Sequence, residues 1–245
     1  EACAKIAGTS SSSGGPPDAA GVLLPDGAVV PVTCTDGQRS CIGRVAVTCE
    51  GSTPRTSACA EACVDGTCTS FPSCGASDAG AVTCGPLGGS CCETKLVPGG
   101  AFQRLGSAEW PAAVSAFSLD VYEVTVGRFR RFLDAGGGIA TSPPAPGAGA
   151  HPKIEGSGWQ AGWNGYLPET GAELRNLLSS GTWTGSPREN ERRPITNVPW
   201  LVAFAFCAWD GARLPTLAEW SFAASGGDEQ RAYPWVAPGE QASID

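Results

Sequence analysis

Cysteine is the residue type of this sequence whose number and spacing carry the clearest chemistry. The chain of 245 residues has 12 cysteines, and ten of them lie within residues 34–92. Thiols at this density either pair as disulfides or hold a metal ion as thiolates. A cysteine-only metal site would need paired C-x-x-C spacings, whereas Cys59 and Cys63 are further apart and Cys91 and Cys92 are adjacent. We therefore predict a disulfide framework, which in turn predicts an exported protein.

The ten clustered cysteines form two groups, and all of them are disulfide candidates. The first group alternates with Asp-Gly and Glu-Gly turns and consists of Cys34, Cys41, Cys49, Cys59, Cys63 and Cys68. The second group leads directly into the next domain, to which it could be bonded, and consists of Cys74, Cys84, Cys91 and Cys92. Because so short a segment cannot fold by core burial alone, we predict a small disulfide-rich β module over residues 32–93. Six cysteines in one module allow many pairings, so the connectivity stays open.

Cys3 stands apart, ahead of the Ser/Gly/Pro-rich tract GTSSSSGGPPDAAG, which predicts a flexible linker over residues 1–31. One interpretation makes Cys3 the lipid-anchored first cysteine of a bacterial surface lipoprotein, with the tract as its tether. The other makes it an ordinary cysteine of a truncated leader or tether, and Glu1 two places earlier favours this one slightly. Because the chain starts at Glu1 and has no methionine, we also expect that residues were removed ahead of it.

Three further polar side chains are candidates for catalysis, and each has a simpler explanation. His151 is the single histidine, and a catalytic base or metal ligand would need partners, so we interpret it as a loop residue. Asp120 and Glu123 resemble a carboxylate pair, but their place in a strand pattern favours a solvated face.

Residues 141–198 are predicted to be largely loop and contain several tryptophans. Trp159, Trp163 and Asn164 could line a binding surface, because aromatic residues on long loops often do. The alternative, which we favour, is that the aromatic side chains anchor the loop onto the core.

Composition excludes some classes of partner. The net charge of −8 argues against nucleic acid and anionic membrane surfaces, because phosphate binding needs clustered basic residues. No apolar run approaches the roughly 20 residues of a membrane span, so we predict a soluble chain with no transmembrane segment. The 34 glycines and 20 prolines predict much irregular, turn-rich backbone.

A strand and a helix are predicted at the start of the second domain. The alternation in AFSLDVYEVT indicates a half-buried strand with Phe117, Leu119 and Val121 on one face. The segment TVGRFRRFLDAGG predicts a helix capped by Thr125, with its apolar residues on one face and its three arginines, the first of which is Arg128, pointing elsewhere.

A second helix, PWLVAFAFCAWDG, is apolar nearly all round, so we predict that it is buried on every side and ends at Gly211. It contains Cys207, which lacks the neighbouring positive charge that activates a thiol. We therefore interpret Cys207 as structural or inert.

A third helix, RLPTLAEWSFAASGG, has complete start and stop signals. Thr216 and Glu219 have the spacing of a capping box, Pro215 precedes the cap, and two glycines follow the last turn. Leu217 and Trp220 recur at helical spacing and are predicted to face a core. The residues of these two helices predicted to be structural are Cys207, Arg213, Pro215, Thr216, Glu219 and Trp220.

Several of these segments occur together in one family. The segments VPGGAFQRL, FSLDVYEVTVGRFRRFL, NVPWLVAFAFCAWDGARLPTLAEWSFAASGG and RAYPW follow one another in that order. The most specific piece is W-x-x-A-x-x-x-C-x-W-x-G, from Trp200 to Gly211, joined to R-L-P-T-x-A-E-W, from Arg213 to Trp220. Residues 94–245 therefore resemble the formylglycine-generating enzyme (sulfatase-modifying factor) family. The cysteine-rich segment before them resembles modules that precede such domains in exported bacterial proteins.

The resemblance implies an α+β chain whose second domain has a C-type-lectin-like fold of the formylglycine-generating enzyme type. Enzymes of this family convert a cysteine in a sulfatase Cys-x-Pro-x-Arg segment to formylglycine, using dioxygen and a copper ion held by two thiolates. Calcium sites are also typical of the family.

The catalytic residues that the resemblance implies are expected beyond Asp245, the last residue of the sequence. In the family, the copper cysteines and the calcium ligands lie downstream of the matched segments. We therefore expect a domain truncated at its C-terminus over residues 94–245, without catalytic residues and without copper or calcium sites in this span.

The family pattern also bears on two side chains. The position that matches Cys207 commonly pairs with a cysteine in the C-terminal half of the family domain, which is absent here. A related branch, the sulfoxide synthases, holds iron through three histidines, and the single His151 disfavours it.

Two functions are compatible with this reading. The first is oxidation of a cysteine in a sulfatase-like protein or peptide by a longer, copper-loaded protein. The second is a non-catalytic extracellular binding module that uses the lectin-like fold to hold a glycan or a surface protein. A purely structural spacer on a surface protein is a third possibility.

Overall fold

The computed structural model describes residues 3–6, 20–23, 29–42, 45–59, 62–64, 66–74, 83–85 and 88–236. The strands are β1 (Ala4–Ile6), β2 (Ala20–Leu23), β3 (Val29–Val32), β4 (Arg39–Ile42), β5 (Val45–Glu50), β6 (Thr53–Ala58), β7 (Ala62–Val64), β8 (Thr67–Thr69), β9 (Thr83–Cys84), β10 (Gly89–Ser90), β11 (Thr94–Val97), β12 (Gly100–Gln103), β13 (Pro111–Val114) and β14 (Phe117–Asp120). The α-helices are α1 (Val126–Asp134), α2 (Gly171–Leu178), α3 (Trp200–Trp209) and α4 (Leu217–Ala224). This mixture of helix and strand agrees with the predicted α+β class, and the lectin-like variant stays a prediction.

The cysteine-rich part is built around an antiparallel sheet in which β5 lies between β4 and β6. Val45 and Val47 lie together in a small apolar cluster, and Ala46 lies in a second cluster with Cys41 and Cys59. The central strand is therefore covered by aliphatic side chains on one face and by disulfides on the other.

All twelve cysteines are paired, which confirms the predicted disulfide-rich character. The disulfides are Cys34–Cys49, Cys41–Cys63, Cys59–Cys68, Cys74–Cys92, Cys84–Cys91 and Cys3–Cys207. Each of the two cysteine groups is bonded within itself. Cys207, which follows both groups in the sequence, is bonded to Cys3.

This pairing corrects two expectations about single cysteines. Cys207 was expected to pair in the C-terminal half of the family domain, but it is bonded to Cys3, 204 residues earlier. The interpretation of Cys3 as a lipid-anchored cysteine is wrong in this structure, because the Cys3 sulfur forms the disulfide with Cys207 and the residue is fully buried. Both residues belong to the main apolar core.

The prediction of a flexible linker over residues 1–31 is wrong for the residues of this segment that the structure describes. Strand β1 pairs with β14 of the second domain, and β2 pairs with β3. Ala4 also exchanges two backbone hydrogen bonds with Arg213, at 2.8 and 2.9 Å. Most of the Ser/Gly/Pro-rich tract, namely residues 8–19, lies outside the described residues.

Helices α1 and α3 form the centre of the second domain. Phe129 and Phe132 of α1 lie against Phe206 of α3, with ring centroids 5.5 Å apart in stacked and edge-on arrangements respectively. Thr125 caps α1, because its hydroxyl accepts the backbone N–H of Arg128 at 3.2 Å. Aromatic contacts of this kind add to the burial of the two apolar faces.

The burial predicted for β14 is confirmed for Phe117 but wrong for the opposite face of the strand, and the exposure predicted for the arginines of α1 is wrong for two of the three. Ser118 and Asp120 are buried, whereas Val121 is exposed. Arg128 and Arg130 are buried as well, although they were predicted to point away from the core. Simple alternation fails on β14 because side chains on both faces of the strand are covered, Phe117 on one face and Ser118 and Asp120 on the other, where Asp120 pairs with Arg128.

Two corrections concern the later helices. Helix α2 forms within the segment predicted to be largely loop, where the hydroxyl of Thr170 caps it. Helix α4 has the predicted capping box, but its inner face carries Glu219 and Phe222, whereas Leu217 and Trp220 are exposed. Within the described residues, no helix has the length and apolar character needed to cross a bilayer.

Candidate functional site

A buried cluster of charges lies between α1, β14 and the end of α3. Arg128 Nη1 donates to Asp120 Oδ2 at 3.0 Å, and Arg128 Nη2 donates to Asp210 Oδ2 at 2.7 Å. All three side chains are almost wholly excluded from solvent. Burial by itself lowers the pKa of Arg128, but the charges and hydrogen bonds of the two carboxylates raise it overall, so the guanidinium stays charged.

The same cluster binds the cysteine-rich part to the second domain. Arg128 Nε donates to Ser73 Oγ at 2.9 Å, and Arg128 Nη1 donates to the Cys91 carbonyl at 3.3 Å. The backbone N–H and the hydroxyl of Ser73 donate to Asp210 at 2.9 and 3.0 Å. The cluster is closed to solvent, so its role is to position these segments, and no ligand reaches it.

A second charged cluster fixes the start of α4. Arg213 Nη1 donates to Glu219 Oε2 at 2.7 Å, and the backbone N–H of Thr216 donates to the same oxygen at 2.8 Å. His151 Nε2 lies 3.4 Å from Glu219 Oε1, and His151 Nδ1 accepts the backbone N–H of Lys153 at 3.1 Å. The loop that carries His151 is thereby held against α4.

We expect stability to fall as the pH falls through the titration of His151. Burial, and then the positive charge of Arg213, lower the pKa of His151 below its usual 6.5. Because the folded state favours the neutral imidazole, its stabilising contribution is present above pH 6.5 and is lost as the pH falls towards the lowered folded-state pKa. The pKa of Glu219 is lowered too, despite burial, by hydrogen bonds from Arg213 and Thr216, so Glu219 loses its contribution only in more acidic solution.

The measurement is the melting temperature at about pH 7.5 and about pH 5.5. The chain has 1 histidine, so His151→Gln should remove most of the difference between the two pH values. An equal difference in the native protein and in His151→Gln would assign the pH dependence to other groups.

Two open cavities adjoin on the outer side of α3 and α4. The inner one has a volume of about 300 Å³ and lies over Phe129, Phe206 and Cys207. The outer one has a volume of about 400 Å³ and is lined by Trp200 and Trp220 among others. Glu123 and Leu214 line both cavities, so the two form one continuous cleft. Its size is within the range of ligand-binding pockets.

The structure places the loop that carries Trp159, Trp163 and Asn164 against the core rather than in this cleft. Trp159 is buried, and its indole Nε1 donates to Asn164 Oδ1 at 2.8 Å. Trp163 lies edge-on to Trp159 and to Trp200, with ring centroids 5.5 and 5.8 Å apart. These contacts support the anchoring interpretation of Trp159, Trp163 and Asn164.

The polar candidates do not come together as a catalytic group. Asp120 is buried against Arg128, which corrects the prediction of a solvated face, whereas Glu123 is exposed at the cleft. His151 lies on a loop, at Glu219. The residues that sequence reasoning missed are Ser73, Arg128 and Asp210, and the sequence carries no local sign of their association.

The donor set of the described residues does not fit a copper ion held by thiolates. All twelve cysteines are bonded in pairs, so none offers a thiolate. In the part of the chain that the structure describes, no group of three or more His, Cys, Asp or Glu side chains is arranged to hold a metal ion. No chemical step through a metal is therefore derived from this chain.

The expected position of the catalytic residues, beyond Asp245, stays a prediction. The described residues end at Val236, so Asp245 and the eight residues before it lie outside them. Catalytic residues are therefore assigned neither to this segment nor to the described part of the chain.

The family model of the sulfatase-modifying factor enzyme 1-like domain matches residues 85–244. The chain belongs to this family. The match includes Cys91, whose carbonyl contacts Arg128, so the family domain contains part of the second cysteine group.

Several relatives in this family are similar to the chain. An inactive C-alpha-formylglycine-generating enzyme 2 of Mus musculus is 30% identical over 163 residues, which are 57% of this chain and 49% of the relative. A formylglycine-generating enzyme of Thermomonospora curvata is 30% identical over 161 residues, which are 57% of this chain and 50% of the relative. The inactive enzyme 2 of Bos taurus is 52% identical over 70 residues, which are 29% of this chain and 22% of the relative. The chain thus matches about half the length of the first two. No solved structure matches it.

Proposed function

We propose that the protein acts on a cysteine-bearing polypeptide of the sulfatase type, and that this chain supplies the framework and a contact surface rather than the copper site. Relatives such as the Thermomonospora curvata protein are named formylglycine-generating enzymes, which supports the class of reaction. The observation that supports this role for the chain is the pairing of all its cysteines. Copper thiolates, and the calcium sites implied for the family, would come from residues outside this chain.

An exported location is part of this proposal. Disulfides form and persist in secreted, periplasmic and cell-surface proteins, where thiols are not kept reduced. Six disulfides in one chain, five of them within residues 34–92, support such a compartment.

The first test is a copper titration of the oxidised chain. We expect it to take up no cuprous ion from a chromophoric chelator, because copper(I) binds tightly to thiolates and all thiols are consumed. The matched control is the same chain after reduction and denaturation, which should take up copper through its freed cysteines. Uptake of one equivalent by the oxidised chain would contradict the assignment of its role.

The second test addresses the reaction itself. A longer natural protein that contains this chain would be loaded with copper and incubated, in air, with a Cys-x-Pro-x-Arg peptide. The expected product has the mass of the peptide with its cysteine converted to an aldehyde. If copper is shown to be bound and the peptide mass is unchanged, the proposed cysteine oxidation is rejected, and the non-catalytic binding function is the remaining candidate.

A non-catalytic binding function is the second candidate. Two of the similar relatives are named inactive, so the family includes proteins that are similar to this chain and lack the reaction. The exposed cleft beside α3 and α4 is the surface that such a function would use. Retention of a polypeptide or glycan by the protein without copper would favour this candidate.

A further inference from the structure

Four cysteines of the first group lie together where the β7–β8 hairpin packs against β4. Cys41 of β4 is bonded to Cys63 of β7, and Cys59 is bonded to Cys68 of β8. Cys41, Cys59 and Cys63 belong to one buried cluster. In the register of the hairpin, Cys63 lies directly opposite Cys68. Two cysteines that face each other across the hairpin are therefore bonded to different partners.

Cys68 differs from the other cysteines in its exposure to solvent. It is exposed, Cys34 is partly exposed, and the remaining ten cysteines are buried. Because an attacking thiolate must reach a sulfur atom, exposed disulfides exchange and are reduced most easily. The bond of Cys68 to Cys59 also spans only 9 residues, and a disulfide over a short loop stabilises a fold less than one over a long loop. The shorter bond from Cys84 to Cys91 is buried at both ends, so the Cys59–Cys68 bond is the most reactive of the six.

A bond between Cys63 and Cys68 is within geometric reach. Residues directly opposite each other in an antiparallel pair have Cα atoms about 4.5–5.5 Å apart, and their side chains project from the same face. A disulfide spans Cα distances of about 4.4–6.8 Å. Transfer of Cys68 from Cys59 to Cys63 therefore needs no rearrangement of the hairpin backbone.

The Cys41 sulfur accepts a hydrogen bond that favours its release from Cys63. The backbone N–H of Gly66, in the turn between β7 and β8, donates to Cys41 Sγ at 3.1 Å. Such a hydrogen bond stabilises the negative charge that develops on a departing sulfur atom. Gly66 has a φ of +71°, and a Cβ atom there would collide with Arg39 and with the backbone of Ser40, so this close approach requires glycine.

We propose that the β7–β8 hairpin is a thiol–disulfide exchange site. A small external thiol opens the Cys59–Cys68 bond, and Cys68 then exchanges with the Cys41–Cys63 bond. The product carries a Cys63–Cys68 disulfide across the hairpin and free thiols at Cys41 and Cys59. The inference goes beyond the proposed function, because these cysteines precede residues 85–244, which match the family model.

Two equivalents of the external thiol supply the electrons for this change. The first, as thiolate, attacks Cys68 Sγ and forms a mixed disulfide, and Cys59 leaves and takes up a proton. The second attacks the external sulfur of the mixed disulfide, which releases Cys68 as a thiolate and forms the disulfide of the small thiol. The Cys68 thiolate then attacks Cys63 Sγ, and Cys41 leaves and takes up a proton. This last step only exchanges one disulfide for another and needs no further electrons.

The experiment maps free thiols after treatment of the purified, disulfide-bonded protein with reduced glutathione. The exchange is stopped with acid, and free thiols are alkylated at low pH. Full reduction and a second alkylating reagent then mark the cysteines that had stayed bonded. Cleavage after acidic residues separates Cys59, Cys63 and Cys68 for mass spectrometry, because Glu61 and Asp65 lie between them.

We expect the first reagent on Cys41 and Cys59, and glutathione attached to Cys68 at early times. Tryptophan fluorescence should keep its native value throughout, because all 8 tryptophans lie from Trp110 onward and the second domain stays folded. This readout distinguishes exchange in the folded protein from reduction of an unfolded chain.

Two double variants assign the exchange to this site. In Cys59→Ala with Cys68→Ala, thiols should appear at least about tenfold more slowly, because the exposed sulfur is absent. The matched control is Cys34→Ala with Cys49→Ala, which removes the bond of the partly exposed cysteine. It should leave the labels on Cys41 and Cys59 unchanged.

Three results would overturn the inference. The first is initial labelling at a cysteine outside this set of four. The second is labelling of Cys59 and Cys68, which would show that Cys68 does not exchange with Cys63. The third is the appearance of thiols only when native tryptophan fluorescence is lost. The measurement uses neither copper nor a sulfatase-type peptide, so its outcome and that of the oxidation test are independent.

Discussion

Arg128→Met is expected to lower the free energy of unfolding by about 3–5 kcal/mol. The substitution keeps an unbranched apolar stem but removes the guanidinium, so the buried carboxylates of Asp120 and Asp210 lose their cationic partner, although Asp210 keeps the donors of Ser73. Removing one partner of a buried ion pair costs more than the pair contributes, because the remaining charge stays desolvated. The measurement is urea-induced unfolding with the disulfides intact, followed by tryptophan fluorescence.

Two variants test the cause of this loss. In Arg128→Met with Asp120→Asn, one stranded charge is removed, so part of the lost stability should return. Arg175→Met is the matched control, because Arg175 lies 3.9 Å from Asp134 in a solvent-exposed pair and should contribute about 0–1 kcal/mol. If Arg128→Met and Arg175→Met destabilise equally, the buried cluster does not hold the domain together as argued. Arg128→Lys provides a milder variant if the methionine variant does not fold.

Replacing Cys3 and Cys207 together with alanine is expected to lower the free energy of unfolding of the second domain by about 3–5 kcal/mol. The disulfide joins residues 204 positions apart, and a cross-link over a long loop removes much conformational freedom from the unfolded chain. Its loss also frees β1, whose backbone pairs with β14 and with Arg213. Tryptophan fluorescence reports this domain selectively, because all 8 tryptophans lie from Trp110 onward.

The control is the double alanine variant of Cys59 and Cys68, which removes a disulfide over only 9 residues in the cysteine-rich part. It should leave the fluorescence transition of the second domain nearly unchanged, because that bond lies outside the domain that the tryptophans report. An unchanged transition in the Cys3 and Cys207 variant would mean that β1 contributes nothing to the second domain. In that case the pairing of β1 with β14 would not stabilise the second domain either.

The candidate cleft was only partly predictable from the sequence. The motif from Trp200 to Trp220 indicates two helices and their caps, because capping depends on residues three or four apart. Helical spacing also groups Leu217 with Trp220, but it does not say which face of the helix meets the core. The inner face carries Phe222, whose ring lies 5.3 Å from that of Phe102 in an edge-on contact, and Leu217 and Trp220 are left exposed at the cleft.

The sequence by itself determined the disulfide-rich character, the family, the cap at Thr125 and the capping box of Thr216 and Glu219. These features follow from residue type and from spacings of a few residues. Only the tertiary structure decided that Arg128 is buried, because its partner Asp210 is 82 positions away and Ser73 is 55 positions away. The pairing of Cys3 with Cys207 is of the same kind. Contacts over such distances depend on how the elements pack, and no periodicity along the chain encodes that packing.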